Sequence, residues 1–130
     1  MIKSPAEQDL MRKAGQVSAE AINRAIQITQ PGFTEHQLFA TVDYESRMRG
    51  AETLAYVPVV ATGTNANIIH YIDNRQVLSE GELVLMDAGA TTDTHILTQV
   101  SITFNNLTTS SCSKDVNIMD TVVILHELGR

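Results

Sequence analysis

Cysteine is almost absent from this sequence: Cys112 stands alone among 130 residues. One thiol excludes an intrachain disulfide and a thiolate zinc cluster. Its Ser-rich surroundings offer no nearby base, so Cys112 reads as inert, and the usage fits a reducing compartment. Positive charge is also scarce. Nine Lys and Arg face 15 Asp and Glu, for a net charge of −6. The bases do not cluster beside stacking aromatics, so neither a nucleic acid nor an anionic membrane surface is an expected partner. No apolar run approaches the ~20 residues of a membrane span. The opening residues Met1–Pro5 carry neither a secretory apolar region nor an Arg-rich presequence. G-x-S-x-G, H-E-x-x-H and Walker motifs are missing, as are internal repeats and long low-complexity stretches.

What remains is an ordinary globular composition, 43% hydrophobic and 18% charged. The length is that of one domain, and a chain of this size can bury a core. Ser4-Pro5-Ala6-Glu7 is a helix start, with Ser4 as cap, Pro5 at the first helical position and Glu7 closing a capping box. Leu10, Ala14, Val17, Ala21, Ala25 and Ile28 follow at helical spacing, and Ile22 and Ile26 widen the stripe. Gln30-Pro31-Gly32 stops the helix. Thr34 caps a second one, with Gln37 at the reciprocal position and Leu38, Val42 and Met48 marking its apolar side.

After Gly50 the period changes. Residues 55–61 read as a strand, with Pro58 at an edge, a bulge or a strand end. Ile68-Ile69-His70-Tyr71 reads as a short strand or extended loop. Residues 82–90 read as a buried strand ending in a Gly-containing turn, and 94–104 as its antiparallel return. From Asn105 the chain turns polar, and 114–128 has the spacing of a last helix. The fold class expected is therefore α/β (α+β): two N-terminal helices, a mainly antiparallel sheet and a C-terminal helix.

Asp87 is the most suggestive residue. A carboxylate beside the apolar run Leu83–Met86 needs a partner, either a metal ion or a turn hydrogen bond. His70 lies in an apolar setting and reads as either a structural or a functional histidine. Asp93 and His95 share one strand face and offer a weak chelate. His36 and His126 fall on the expected helices as surface residues. Adjacent His126 and Glu127 would point about 100° apart on a helix and would not converge on one ion.

Several segments together resemble a known family. Ile2–Glu7, Met11–Gly15, Arg49–Ala61, Asn67–Tyr71 and Leu83–Gly89 look, in that order, like the catalytic domain of the Xaa-Pro aminopeptidases. These belong with methionine aminopeptidase and prolidase in the pita-bread metallopeptidase family. The likeness covers 2–104, as the N-terminal half of such a domain, and leaves 105–130 as a divergent loop and helix. A partial pita-bread fold is what the resemblance implies.

It also implies a chemistry. Two divalent ions, manganese in many members, share two Asp, one His and two Glu and activate a water that attacks the bond before a penultimate proline. Asp87 matches the first metal-binding Asp, and His70 matches a histidine that contacts the peptide and is not a ligand. The second Asp is replaced by Gln99, after a one-residue insertion, or by Thr98 without one. The His and Glu ligands belong to the other half of the family domain. By this resemblance the chain is a fragment or truncated form of a metal-dependent Xaa-Pro aminopeptidase, inactive alone. The alternative is a non-catalytic pseudoenzyme or partner-binding module. A lone half would expose an apolar seam, which points to an oligomer or a complementing half-domain. The compartment implied is mitochondrial or cytoplasmic.

Overall fold

The capping boxes expected at both helix starts form as the sequence dictates. In the computed structural model, which describes residues 3–92, 96–104 and 122–126, helix α1 spans Pro5–Ile28 and helix α2 spans Glu35–Met48. The Ser4 hydroxyl accepts from the Glu7 N–H at 3.3 Å while the Glu7 carboxylate accepts from the Ser4 N–H at 2.7 Å. Thr34 and Gln37 repeat the exchange at 3.2 and 2.8 Å. Each box satisfies two N–H groups that a helix start otherwise leaves unpaired.

Five strands follow among the described residues: β1 Thr53–Leu54, β2 Val59–Thr62, β3 Val84–Thr92, β4 Ile96–Phe104 and β5 Val122–His126. A short 3₁₀ turn, Gly63–Asn67, leaves β2. All pairings are antiparallel. β3 is central: β1 and β2 share one of its edges, β4 pairs along the other, and β5 adds beyond β4. The α/β class, with two helices ahead of an antiparallel sheet, is as expected.

β3 sorts its side chains by the two-residue period of a strand. Val84, Met86, Ala88 and Ala90 are fully buried against the helices, while Leu85 and Asp87 lie on the opposite face. From α1, Ala21, Ile22, Ala25 and Ile26 enter the core, joined by Leu38 and Val42 of α2 and by Val60 and Leu78. The small Ala88-Gly89-Ala90 stretch lets α1 come close. There the Ser18 hydroxyl accepts from the Ala90 N–H at 3.0 Å and donates to the Ala14 carbonyl at 2.9 Å.

Several expectations change. β3 does not end in a turn around Gly89; it continues to Thr92, because Ala88-Gly89-Ala90 serves helix packing. Met48 is exposed and not part of the apolar side of α2; the inward positions are Glu35, Leu38, Val42 and Ser46. Of the two alternatives for Ile68–Tyr71, the loop forms and the strand does not. Residues 122–126, assigned by their spacing to a last helix, form β5 instead. The consecutive Val122-Val123-Ile124 favours extended backbone, and the edge of β4 offers hydrogen bonds that a helix here would leave unused. The rest of that expected helix lies outside the described residues, as do Asp93, His95, Cys112 and Glu127.

Candidate functional site

Asp87 sits in the middle of β3, opposite Val59 of β2 and Ser101 of β4. It projects from the face that the helices leave uncovered and is partly buried. A hydroxyl holds its side chain. Tyr56, in the link between β1 and β2, donates its Oη–H to Asp87 Oδ1. That link is itself pinned to β3, with the Ala55 N–H donating to the Gly89 carbonyl at 2.8 Å. Pro58 then ends the link just before β2, in keeping with its missing N–H. Burial, then the hydrogen bond to Asp87 and its negative charge, pushes the Tyr56 phenol well above the usual tyrosine range. Tyr56 therefore remains a donor to the carboxylate across the ordinary pH range.

His70 stands on a different support. It is exposed, in the segment that runs from β2 to Leu78, and its backbone is left-handed at φ +54°. For a residue with a Cβ this conformation costs about 1–2 kcal/mol. Its neighbour Tyr71 points inward, and the Tyr71 Oη–H donates to Glu35 Oε2 at 2.8 Å. Burial first, and then this bond and the Glu35 charge, raise the Tyr71 phenol above its usual value.

Glu35, the first residue of α2, is fully buried and accepts four hydrogen bonds. Oε1 takes the Thr62 N–H at 2.8 Å and the Asn65 amide at 3.2 Å. Oε2 takes the Tyr71 hydroxyl and the Gln76 N–H, the latter at 2.9 Å. A buried carboxylate is tolerated on this condition. Asn74, left-handed at φ +48° and 3% exposed, closes the outer edge of β2. It accepts from the Val60 N–H and donates to the Pro58 carbonyl, both at 2.9 Å.

The sequence reading singled out Asp87 and His70 but not Tyr56, Glu35 or Asn74. Their partners lie 14 to 41 residues away in the chain. Only the Thr34-Glu35 helix start hinted that an acid was fixed there. His36, on α2, is exposed and stacks on Phe39 with ring centroids 5.7 Å apart. These two border a cleft of about 200 Å³, also lined by Val57, Ile72 and Asn74, that includes neither Asp87 nor His70. His126 falls on β5 and not on a helix.

Gln99 lies opposite Gly89 and Thr98 opposite Ala90. By register, Gln99 falls on the pleat that carries Asp87, and Thr98 on the pleat of the helix-packed residues. Among the described residues no group of three His, Cys, Asp or Glu converges on a common point. A pair of dications needs several anionic ligands converging on it, and the described residues bring no such group together. They do not fit such a centre by themselves. No helix among the described residues is long and apolar enough to cross a membrane.

An antiparallel sheet packed on two helices, with a tyrosine-held aspartate on the face that those helices leave uncovered, defines an α/β domain. Comparison with known proteins places it further. The profile of metallopeptidase family M24 matches residues 9–129, and the chain belongs to that family. It is 40% identical over 96 residues to Xaa-Pro aminopeptidase 3 of Rattus norvegicus, covering 74% of this chain and 19% of the rat protein. It is 43% identical over 90 residues to the mitochondrial intermediate cleaving peptidase 55 of Arabidopsis thaliana, covering 68% and 18%. Among solved structures it resembles Pseudomonas aeruginosa aminopeptidase PepP, with TM-score 0.77, 41% identity, and 79% of this chain against 23% of that one. A zinc-substituted Escherichia coli aminopeptidase P in complex with product superposes at TM-score 0.77 and 34% identity, with the same coverage. The chain thus spans about a fifth of the length of the curated relatives it matches. The partial pita-bread fold expected from the resemblance is the fold these neighbours have.

Proposed function

We propose that this chain is the N-terminal half of an Xaa-Pro aminopeptidase catalytic domain, over residues 2–104, and does not turn over peptides by itself. Asp87 is the residue it contributes to a metal centre, with manganese as the ion, and His70 is its contact to a peptide with a penultimate proline. Gln99 occupies the place of the family's second aspartate. Its register beside Asp87 favours it over Thr98. A neutral amide removes one of the charges that hold two dications together. The remaining ligands would have to come from a complementing half-domain.

The observation that carries this reading is the placement of Asp87. It lies on the sheet face that the two helices leave uncovered, with its carboxylate oriented by Tyr56, on a fold shared with aminopeptidases. One carboxylate does not make the centre. Manganese titration of the ¹⁵N-labelled chain tests the assignment. Paramagnetic broadening should begin at the amides around Asp87, with an affinity weaker than micromolar, and Asp87→Asn should abolish it. Broadening that begins elsewhere, or that survives Asp87→Asn, contradicts the assignment.

A further inference from the structure

Glu35 lies on none of the surfaces just described, yet the segment that presents His70 converges on it. The carboxylate accepts from both ends of that segment, the Thr62 N–H at 2.8 Å and the Gln76 N–H at 2.9 Å. It also accepts from the Tyr71 hydroxyl at 2.8 Å. Asn65 cross-links the same group, donating to Glu35 Oε1, to the Tyr71 oxygen at 3.0 Å and to Gln76 Oε1 at 2.7 Å. A separate observation points the same way. His70 is exposed and holds a left-handed backbone. Such a conformation persists where the surroundings over-determine it, and the adjoining inward anchor is Tyr71.

We infer that Glu35 is a positioning residue for His70: through Tyr71 and the two backbone amides it fixes the loop that carries the substrate-contacting histidine. Two features suit Glu35 to this. A carboxylate offers acceptor sites for all four donors at once, which no neutral side chain of its size does. It is anchored on the first turn of α2, where the helix dipole favours negative charge. The packed helix thereby transmits its rigidity to a loop whose regular backbone pairing is confined to the 3₁₀ turn Gly63–Asn67 and an antiparallel bridge of Val77 to Thr34. The functional part of this inference rests on the role proposed for His70.

The test reads the loop and not turnover, so its failure and the failure of the proposed function are distinguishable. In the ¹⁵N-labelled chain, Glu35→Gln should speed hydrogen exchange at the Thr62 and Gln76 amides by about tenfold or more, while Ala21 and Ile22 in α1 stay within about twofold. The His70 backbone order parameter should fall from about 0.85 towards 0.6. Tyr71→Phe keeps the carboxylate and both backbone amides but removes the anchor beside His70. It should lower order at His70 and leave Gln76 exchange unchanged. Unchanged His70 order in the variants, or equal acceleration at Gln76, Ala21 and Ile22, overturns the inference. If Glu35→Gln does not fold, Tyr71→Phe decides alone by the same His70 reading.

Discussion

Asn74 shows at the residue scale how much one side chain supports. Its amide replaces a missing neighbour strand for β2, accepting from Val60 and donating to Pro58. Truncation to Ala would leave a buried N–H and a buried carbonyl without their partner, at about 1–3 kcal/mol for each orphaned group. Asn74→Ala should therefore lower unfolding free energy by about 2–6 kcal/mol in a urea titration. A change below about 0.5 kcal/mol would mean that β2 does not depend on it. The tyrosines give a second residue-scale expectation. Tyr56 and Tyr71 both titrate above the ordinary tyrosine value of 10.0 in the folded chain. Above that pH the unfolded chain releases phenolic protons that the folded chain retains. Stability is then flat below about pH 9 and falls as pH rises through 10 and beyond. In Tyr56→Phe the alkaline fall should be shallower, as read by thermal melts between pH 8 and 11. None of these contacts is visible in local sequence. Asp87 and His70 stand out by type and setting, but the hydroxyl for Asp87 comes from 31 residues upstream.

At the scale of elements, the helices were the most readable part. Cap, box and apolar stripe are local, and both helices begin where Ser4 and Thr34 place them. Thr34→Ala should cost about 1 kcal/mol, measured by chemical denaturation, since the Gln37 N–H loses its side-chain acceptor and keeps only the Thr34 carbonyl. Strands were read as present but with displaced ends. β3 outran its expected stop because small residues that resemble a turn also permit a helix to approach closely. β5 was misread because an apolar run carries little information on period, and the edge of β4 that selects extended backbone is a tertiary feature. Glu35 escaped notice for the opposite reason. A Glu at the first turn of a helix is ordinary, and only the loop folded over it makes it buried.

For the whole molecule, membership of family M24 and the α/β architecture agree with what the motifs implied. The motifs are legible because they are contiguous: each segment holds a recognisable run of residues in the right order. The metal centre is not legible in the same way. Such a centre is a convergence of side chains from distant segments, and no group of three His, Cys, Asp or Glu converges among the described residues. The central proposal is that the chain supplies Asp87 and His70 to an aminopeptidase site and does not turn over peptides by itself. The most direct measurement is hydrolysis of a peptide with a penultimate proline by the purified 130-residue chain in excess manganese, beside an intact Xaa-Pro aminopeptidase. The account predicts no release of the N-terminal residue above the buffer rate. Proline-dependent release that is lost with a chelator and lost in Asp87→Asn would contradict it.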